Sequence, residues 1–553
     1  MSTRRTPETV SFILALFVVA ILNIPFWRLF YRVLAPQSAY EWGFMAAVFI
    51  ALLAAAYLSF LLLAVRPLLR PVVGLLLVMT AAASYFMLEY GTVIDVNMVR
   101  NVLETNLAEA GDLMTAKLLA YVVFLGLVPA ALLWFVPIEW PGMREDFWRK
   151  LKSAAITLPL AAVILFPFVP ALTSTFRENT ALRLTLTPSN FIDALDKYAR
   201  SKYKVARTNV VQPIGIDAVR TPPAGSRPAL FVIVVGETAR ADHFSLNGYQ
   251  RATNPELSQV ADLINYPYAS SCGTDTAESV PCMFSGLGRK NFSNSEAASR
   301  QNLLDVLARV GFDVIWRENQ AGCKGVCDRI KTEILTGLKH PASDAHTENH
   351  DDVLVDGLAE QIKGLKNDTV IVMHMMGSHG PAYWERYPPQ FEMFKPVCRE
   401  SQFSRCTREA IVNAYDNTIE YSDHVLARLI GILQAASGIA DTGMIYMSDH
   451  GESLGENNIY LHGMPYAMAP EAQTHVPMVA WLSEPLRKRT SSDIGCLKHS
   501  TERKRSHDNL FHSVLGILDV KTNIYDSSLD LFAPCRNRKV LGAAGVATPV
   551  SLR

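Results

Sequence analysis

Five apolar stretches fill the first third of the chain, at approximately 9–30, 43–65, 71–90, 117–138 and 153–173. Crossing a bilayer as a helix takes about 20 such residues, so each stretch is long enough to span. The first is not read as a cleaved signal peptide. Arg4 and Arg5 precede it, but no small-residue cleavage pattern follows and four further spans do. Arg4 and Arg5, then Arg66 and Arg70, then Arg144, Arg149, Lys150 and Lys152 fall in segments that alternate to one side, which the positive-inside rule assigns to the cytoplasm. An odd number of spans then exports everything after the fifth. Arg28 and Arg32 sit nearer the opposite face, beside Trp27, Phe30 and Tyr31. That mixture reads as an interfacial segment in which long cations snorkel.

The exported part carries all eight cysteines, at 272, 282, 323, 327, 398, 406, 496 and 535. An even number confined to the non-cytoplasmic side argues for disulfides in an oxidising compartment. Spacing favours Cys272 with Cys282, Cys323 with Cys327 and Cys398 with Cys406, and elimination leaves Cys496 with Cys535, although other pairings are open. Cys323 and Cys327 would make a zinc site only with two further soft ligands nearby.

Three regions follow. Residues 1–175 form a five-span membrane domain with a helical loop, 91–116, on the exported side. Residues 176–225 form a bridge: 188–205 alternates apolar and charged positions at helical spacing after a Ser/Asn cap, and Thr221-Pro222-Pro223 punctuates a domain start. Residues 226–553 form an exported α/β domain. In it the continuous apolar runs 229–235, 370–373 and 443–447 read as buried parallel strands. Segments 301–310 and 408–434 have helical periodicity, while the basic run at 487–489 and the stretch 491–505 read as a polar surface insertion. Open α/β sheets place their sites at the carboxyl ends of parallel strands. Glu237, His374 and Asp449-His450 stand just past three such ends.

The chemistry on offer is a metal-activated hydroxyl. A threonine or serine is a poor nucleophile at neutral pH until its proton is made easier to lose. Glu237, Asp449 and His450 are ligand types for the ion that would do this. Thr274, Thr276 and Ser279 share the loop between Cys272 and Cys282, and spacing does not choose among them. Structurally such a loop is also a simple staple, worth roughly 2 to 4 kcal/mol.

Gly236-Glu237-Thr238, Cys272-Gly273-Thr274-Asp275-Thr276, His379-Gly380-Pro381, Ser448-Asp449-His450-Gly451-Glu452 and His462-Gly463-Met464-Pro465 resemble the phosphoethanolamine transferases that modify lipid A, a family that includes the transferable colistin-resistance enzymes. The resemblance runs in order from the membrane spans to about residue 480. It implies an alkaline-phosphatase-like, sulfatase-like α/β/α fold for the exported domain. It also implies zinc (Zn2+) held by Glu237, Thr276, Asp449 and His450, with Thr276 as nucleophile. His379 and His462 are implied to contact the substrate phosphoryl group or a second, more weakly held zinc, and Lys324 to lie near the phosphate. Asn101, Thr105 and Glu109 recur every four residues, one polar stripe if they share a helix. The resemblance implies that they bind the ammonium headgroup of phosphatidylethanolamine.

The implied reaction transfers phosphoethanolamine from phosphatidylethanolamine to a lipid A phosphate through a threonine-bound intermediate, conferring polymyxin tolerance. Other acceptors of the same chemistry are a core heptose or another glycan. The rivals are a glycerophosphate transferase, a hydrolase of the same fold and an inactive scaffold. The Cys/Ser-x-Pro-x-Arg motif of a sulfatase is not reproduced around Pro281. The expected protein is a monomer in the inner membrane of a Gram-negative bacterium with its catalytic domain in the periplasm. No nucleic-acid partner is expected.

Overall fold

The computed structural model describes residues 4–105, 107–207, 211–222, 225–336 and 350–536. The chain separates into two units, one comprising Met1–Ala199 with Asn457–Ile459 and the other Arg200–Glu456 with Tyr460–Arg553. The division falls inside the bridging helix Ser189–Arg207. It falls there because Phe191 and Ala194, on the first turns of that helix, pack with Met87, Ile94 and Val99 of the first unit.

Among the described residues of the first unit four helices are long and apolar enough to cross a membrane: Ala39–Leu63, Leu69–Glu89, Ala116–Phe135 and Met143–Glu178. The first expected span differs from a straight helix. Pro7–Leu22 and Ile24–Leu34 meet at a bend of 57°, so the pair makes a fifth span only if counted as one. The cause is local. Pro25 supplies no backbone N–H, the preceding turn Val18–Leu22 widens into a π-helix, and buried Asn23 stands between them. Its amide donates to the carbonyl oxygens of Val18 and Thr187, and its Oδ1 accepts from the backbone N–H of Thr187. The piece beyond the bend carries Arg28 and Arg32 beside the aromatic residues read above as interfacial.

A second difference concerns the polar stripe. The helix Val96–Glu104 ends at Thr105, whose backbone turns extended (φ −66°, ψ 139°), and a separate helix runs Leu107–Leu113. Asn101, Thr105 and Glu109 therefore do not share one continuous helix. The Thr105 hydroxyl donates to the Asn101 carbonyl, a local bond that competes with helix propagation.

The second unit is an α/β domain with ten strands among the described residues: β1 Ala229–Gly236, β2 Ile264–Ser270, β3 Asp313–Glu318, β4 Lys331–Ile334, β5 Thr369–His374, β6 Asp441–Ser448, β7 Ser453–Leu454, β8 Tyr460–Leu461, β9 His475–Leu482 and β10 Arg505–Ser506. Eight form one sheet in the order β10-β2-β9-β6-β1-β5-β3-β4, and β7 pairs with β8 apart from it. The three apolar runs seen in the sequence are its centre, β6-β1-β5. They pair in parallel, with Gly236 opposite Ser448 and Val235 opposite His374. Every residue of β1, β5 and β6 is buried, as expected of strands covered on both faces. Within the eight-stranded sheet β9 alone runs against its neighbours, β6 and β2, and the separate pair β7-β8 is antiparallel. Helices such as Leu303–Arg309, Arg408–Ala435 and Asp508–Ile517 flank the strands.

Four disulfides close the second unit, joining Cys272 to Cys282, Cys323 to Cys327, Cys398 to Cys406 and Cys496 to Cys535. Since Cys323 and Cys327 are bonded to each other, they are not thiolate ligands for a metal. The expected polar insertion is partly ordered helix, Glu484–Thr490 and Ile494–His499. The second of these is tied to the end of the described chain by the Cys496 bridge.

Candidate metal and nucleophile site

Two neighbouring strand ends deliver the acidic and imidazole groups of the site. Glu237 follows the last residue of β1, and Asp449 and His450 follow the last residue of β6. Because β1 and β6 are paired neighbours, their register alone brings these side chains together. All three are fully buried. His450 Nε2 lies 3.3 Å from Glu237 Oε1 and 3.4 Å from Asp449 Oδ2. Close approach is needed here: a side chain at Gly377 (φ +52°) would place its Cβ 2.6 Å from the Glu237 carbonyl oxygen, and Ser378 N–H donates to that same oxygen.

The hydroxyl comes from elsewhere. Thr276 is the first residue of the helix Thr276–Ser285, capped by Asp275, whose carboxylate accepts from Glu278 N–H. Thr276 Oγ1 donates to Glu237 Oε2 at 3.1 Å and stands 3.5 Å from His450 Nε2. The other two hydroxyls of the loop are engaged otherwise. Thr274 donates to the Met464 carbonyl, and Ser279 Oγ accepts from Gly273 N–H. Geometry thus distinguishes three side chains that spacing leaves equivalent.

The donor set fits a divalent cation. One ligand atom from each of Glu237, Asp449 and His450 lies within 4.8 Å of the others. Asp449 Oδ1 accepts from Thr238 and His450 backbone N–H groups, whereas its buried Oδ2 has no hydrogen-bond partner among the described residues. The His450 ring uses Nδ1 on the Gly451 carbonyl, which fixes the tautomer and leaves Nε2 as the ligand atom. Electrostatics say the same. Burial, with the Glu237 charge beside it, pushes Asp449 up to about 6. Burial would also raise Glu237, but the bond from His450 and its charge outweigh this and hold the carboxyl well below the usual range. His450 is lowered by burial yet pushed up to about 10 by Asp449 and Glu237. Two buried carboxylates sharing one imidazole for charge balance is what a cation would relieve.

Around this centre stand groups to which the sequence alone assigns no role. Gln320 donates its amide to Glu237 Oε2 at 3.2 Å. Glu318, at the end of β3, accepts from Gln320 N–H and Trp316 Nε1–H and pairs with His374. Glu452 is fully buried; it binds His462 Nδ1 at 2.8 Å and accepts from Tyr383. Glu452 was legible in principle, two residues beyond His450, but its task depends on a loop ten residues further on.

The remaining expected residues fall as follows. The His462 ring lies 4.3 Å from the His450 ring, and the His379 ring 5.6 Å from His462, centroid to centroid. Lys324 is half-buried in the loop closed by Cys323 and Cys327, has a left-handed backbone (φ +52°), and donates to the Ala321 carbonyl. Asn101 and Thr105 belong to the first unit, and the Glu109 side chain lies outside the described residues.

Residues 229–520 match the Sulfatase family and residues 52–203 the family described as Phosphoethanolamine transferase EptA/EptB. Phosphoethanolamine transferase EptA of Salmonella typhimurium is 42% identical over 82% of this chain and 84% of its own length. Phosphatidylethanolamine transferase Mcr-1 of Escherichia coli is 37% identical over 86% of this chain and 89% of its own. Among solved structures, the integral membrane lipooligosaccharide phosphoethanolamine transferase A of Neisseria meningitidis superposes with a TM-score of 0.92 at 35% identity, covering 96% of this chain and 98% of that one.

Proposed function

This chain belongs to the phosphoethanolamine transferase family, and from that premise we propose that it moves phosphoethanolamine from phosphatidylethanolamine to a phosphate of lipid A through an intermediate on Thr276. The observation that carries the proposal is the position of the Thr276 hydroxyl: within hydrogen-bond reach of Glu237 and beside His450, in a cluster suited to a cation. Zinc is the ion that we assign, held by Glu237, Asp449 and His450 with the Thr276 oxygen. When bound it lowers the cost of deprotonating that hydroxyl and offsets charge on the reacting phosphoryl group.

In the first half-reaction Thr276 Oγ1 attacks phosphorus, the bond to the diacylglycerol oxygen breaks, and diacylglycerol departs with a proton. In the second a lipid A phosphate oxygen attacks the same phosphorus and the Thr276 oxygen leaves, taking a proton back. The N-terminus of the helix that begins at Thr276 favours negative charge at this point. Glu452 occupies His462 Nδ1, so Nε2 is the nitrogen on offer to a substrate phosphoryl oxygen. His379 and Lys324 are assigned to the same phosphate, and Asn101, Thr105 and Glu109 to the donor headgroup. The relatives support lipid A through their names. The membrane spans support lipid substrates, since an anchored enzyme meets both at high local concentration. The spans, the exported disulfides and the relatives together support an inner-membrane protein with a periplasmic catalytic unit.

Mass spectrometry of lipid A from a Gram-negative host with and without the gene tests the acceptor. Phosphoethanolamine-bearing lipid A only in the expressing cells is expected. The same addition found on core sugar, with lipid A unchanged, would replace lipid A by a glycan acceptor.

A further inference from the structure

We propose that His507 is a positioning residue that fixes the nucleophile loop against the metal-binding strand end. The imidazole is 1% exposed and bridges two backbone groups: Cys272 N–H donates to its Nδ1 at 3.1 Å, and its Nε2 donates to the Ser448 carbonyl at 2.9 Å. An amide N–H only donates and a carbonyl only accepts. The ring is therefore a neutral Nε2–H tautomer, and its two bonds have opposite polarity. The backbone N–H of His507 donates to the Ser270 carbonyl at the end of β2.

The placement explains why such a link matters. Cys272 opens the loop that leads to Thr276, whereas Ser448 directly precedes Asp449 and His450. The strands feeding them, β2 and β6, are not neighbours, because β9 lies between them in the sheet. Sheet register therefore fixes Glu237 against Asp449 but does not fix the Thr276 loop against either. His507 reaches past the end of β9 and joins the two loops through one rigid ring. Ser448 is a firm anchor, since its hydroxyl accepts from Ala239 N–H and donates to the His450 carbonyl. A displaced loop would move Thr276 Oγ1 relative to the phosphorus, and errors of about 1 Å cost on the order of a hundredfold in rate.

This inference rests on the reading of Thr276 as nucleophile, and the experiment separates the two. Full-length wild type, His507→Gln, His507→Phe and Thr276→Ala are purified, their bound zinc is measured, and single-turnover adduct formation from phosphatidylethanolamine is followed by mass spectrometry. Expected are zinc contents near wild type in both His507 variants, adduct formation slowed about 10- to 100-fold, and less slowing in Gln, which can still donate to Ser448, than in Phe. Folded, zinc-loaded His507 variants that form adduct at the wild-type rate, even with lowered thermal stability, would overturn the proposal. An adduct that persists in Thr276→Ala would instead remove the underlying reading. In case neither variant folds, nitrogen-resolved imidazole spectra of the wild-type protein decide. The Nε2–H neutral tautomer at His507 is expected, and an Nδ1–H tautomer or a cation at neutral pH would overturn the bridge.

Discussion

Thr274 and Thr276 differ by two positions and by everything that surrounds them. Thr274 is buried with its hydroxyl on the Met464 carbonyl, so Thr274→Ala removes one buried hydrogen bond and leaves an acceptor unpaired, a loss of about 1 to 3 kcal/mol. The expected result is a lowered unfolding midpoint with the phosphoethanolamine adduct still formed; a folded Thr274→Ala protein without adduct would contradict it. His507 gives a second prediction at this scale. Burial lowers its pKa from 6.5 to about 4, so between those values the unfolded chain binds the proton and the folded one does not. Stability from the neutral ring is therefore complete above pH 6.5 and is lost as pH falls through 4. The stability gap between wild type and His507→Phe should shrink over that window in denaturant titrations, and a gap independent of pH would count against a neutral buried ring.

At the level of elements, the bend in the first span is the feature most open to test. Asn23 is 1% exposed and satisfies both backbone groups of Thr187. Asn23→Ala should cost about 1 to 3 kcal/mol, read as a lower unfolding midpoint in detergent, and an unchanged midpoint would show that the bonds contribute nothing. Spans and central strands were legible because each is a continuous apolar run whose length decides between membrane helix and buried strand. The bend and the break at Thr105 were not, because each depends on local bonds from a polar side chain to the backbone, Asn23 beside Pro25 in one case and Thr105 in the other. The same division holds in the site. Glu237, Asp449 and His450 are visible as polar residues directly after apolar runs, whereas Gln320 and His507 act through partners on strands or loops far away in sequence. Thr276 is set apart from its neighbours in the sequence only by resemblance, and in the structure its hydroxyl bonds to Glu237 while those of Thr274 and Ser279 are engaged elsewhere.

For the whole molecule, a unit of membrane-length helices and a disulfide-closed α/β unit are joined in one chain, an arrangement that suits the proposed transfer between two lipids on an oxidising membrane face. Asp449→Ala should abolish transfer while the protein still inserts in the membrane, since the spans hold none of the cluster. Retained transfer in that variant would remove the metal assignment. Added ethanolamine also makes lipid A less negative and weakens its attraction for cationic peptides. Expression in a Gram-negative host should therefore raise polymyxin tolerance, and Asp449→Ala should not. Unchanged tolerance at confirmed wild-type expression would speak for another acceptor. The central claim, that Thr276 carries phosphoethanolamine beside a bound cation, is tested most directly by peptide mapping of the full-length protein after exposure to phosphatidylethanolamine, with zinc measured in the same samples. The account predicts an adduct on the Thr276 peptide of wild type, none in Thr276→Ala, and zinc in both, held by the three remaining ligands. An adduct on Thr274, or on any peptide of Thr276→Ala, would contradict it.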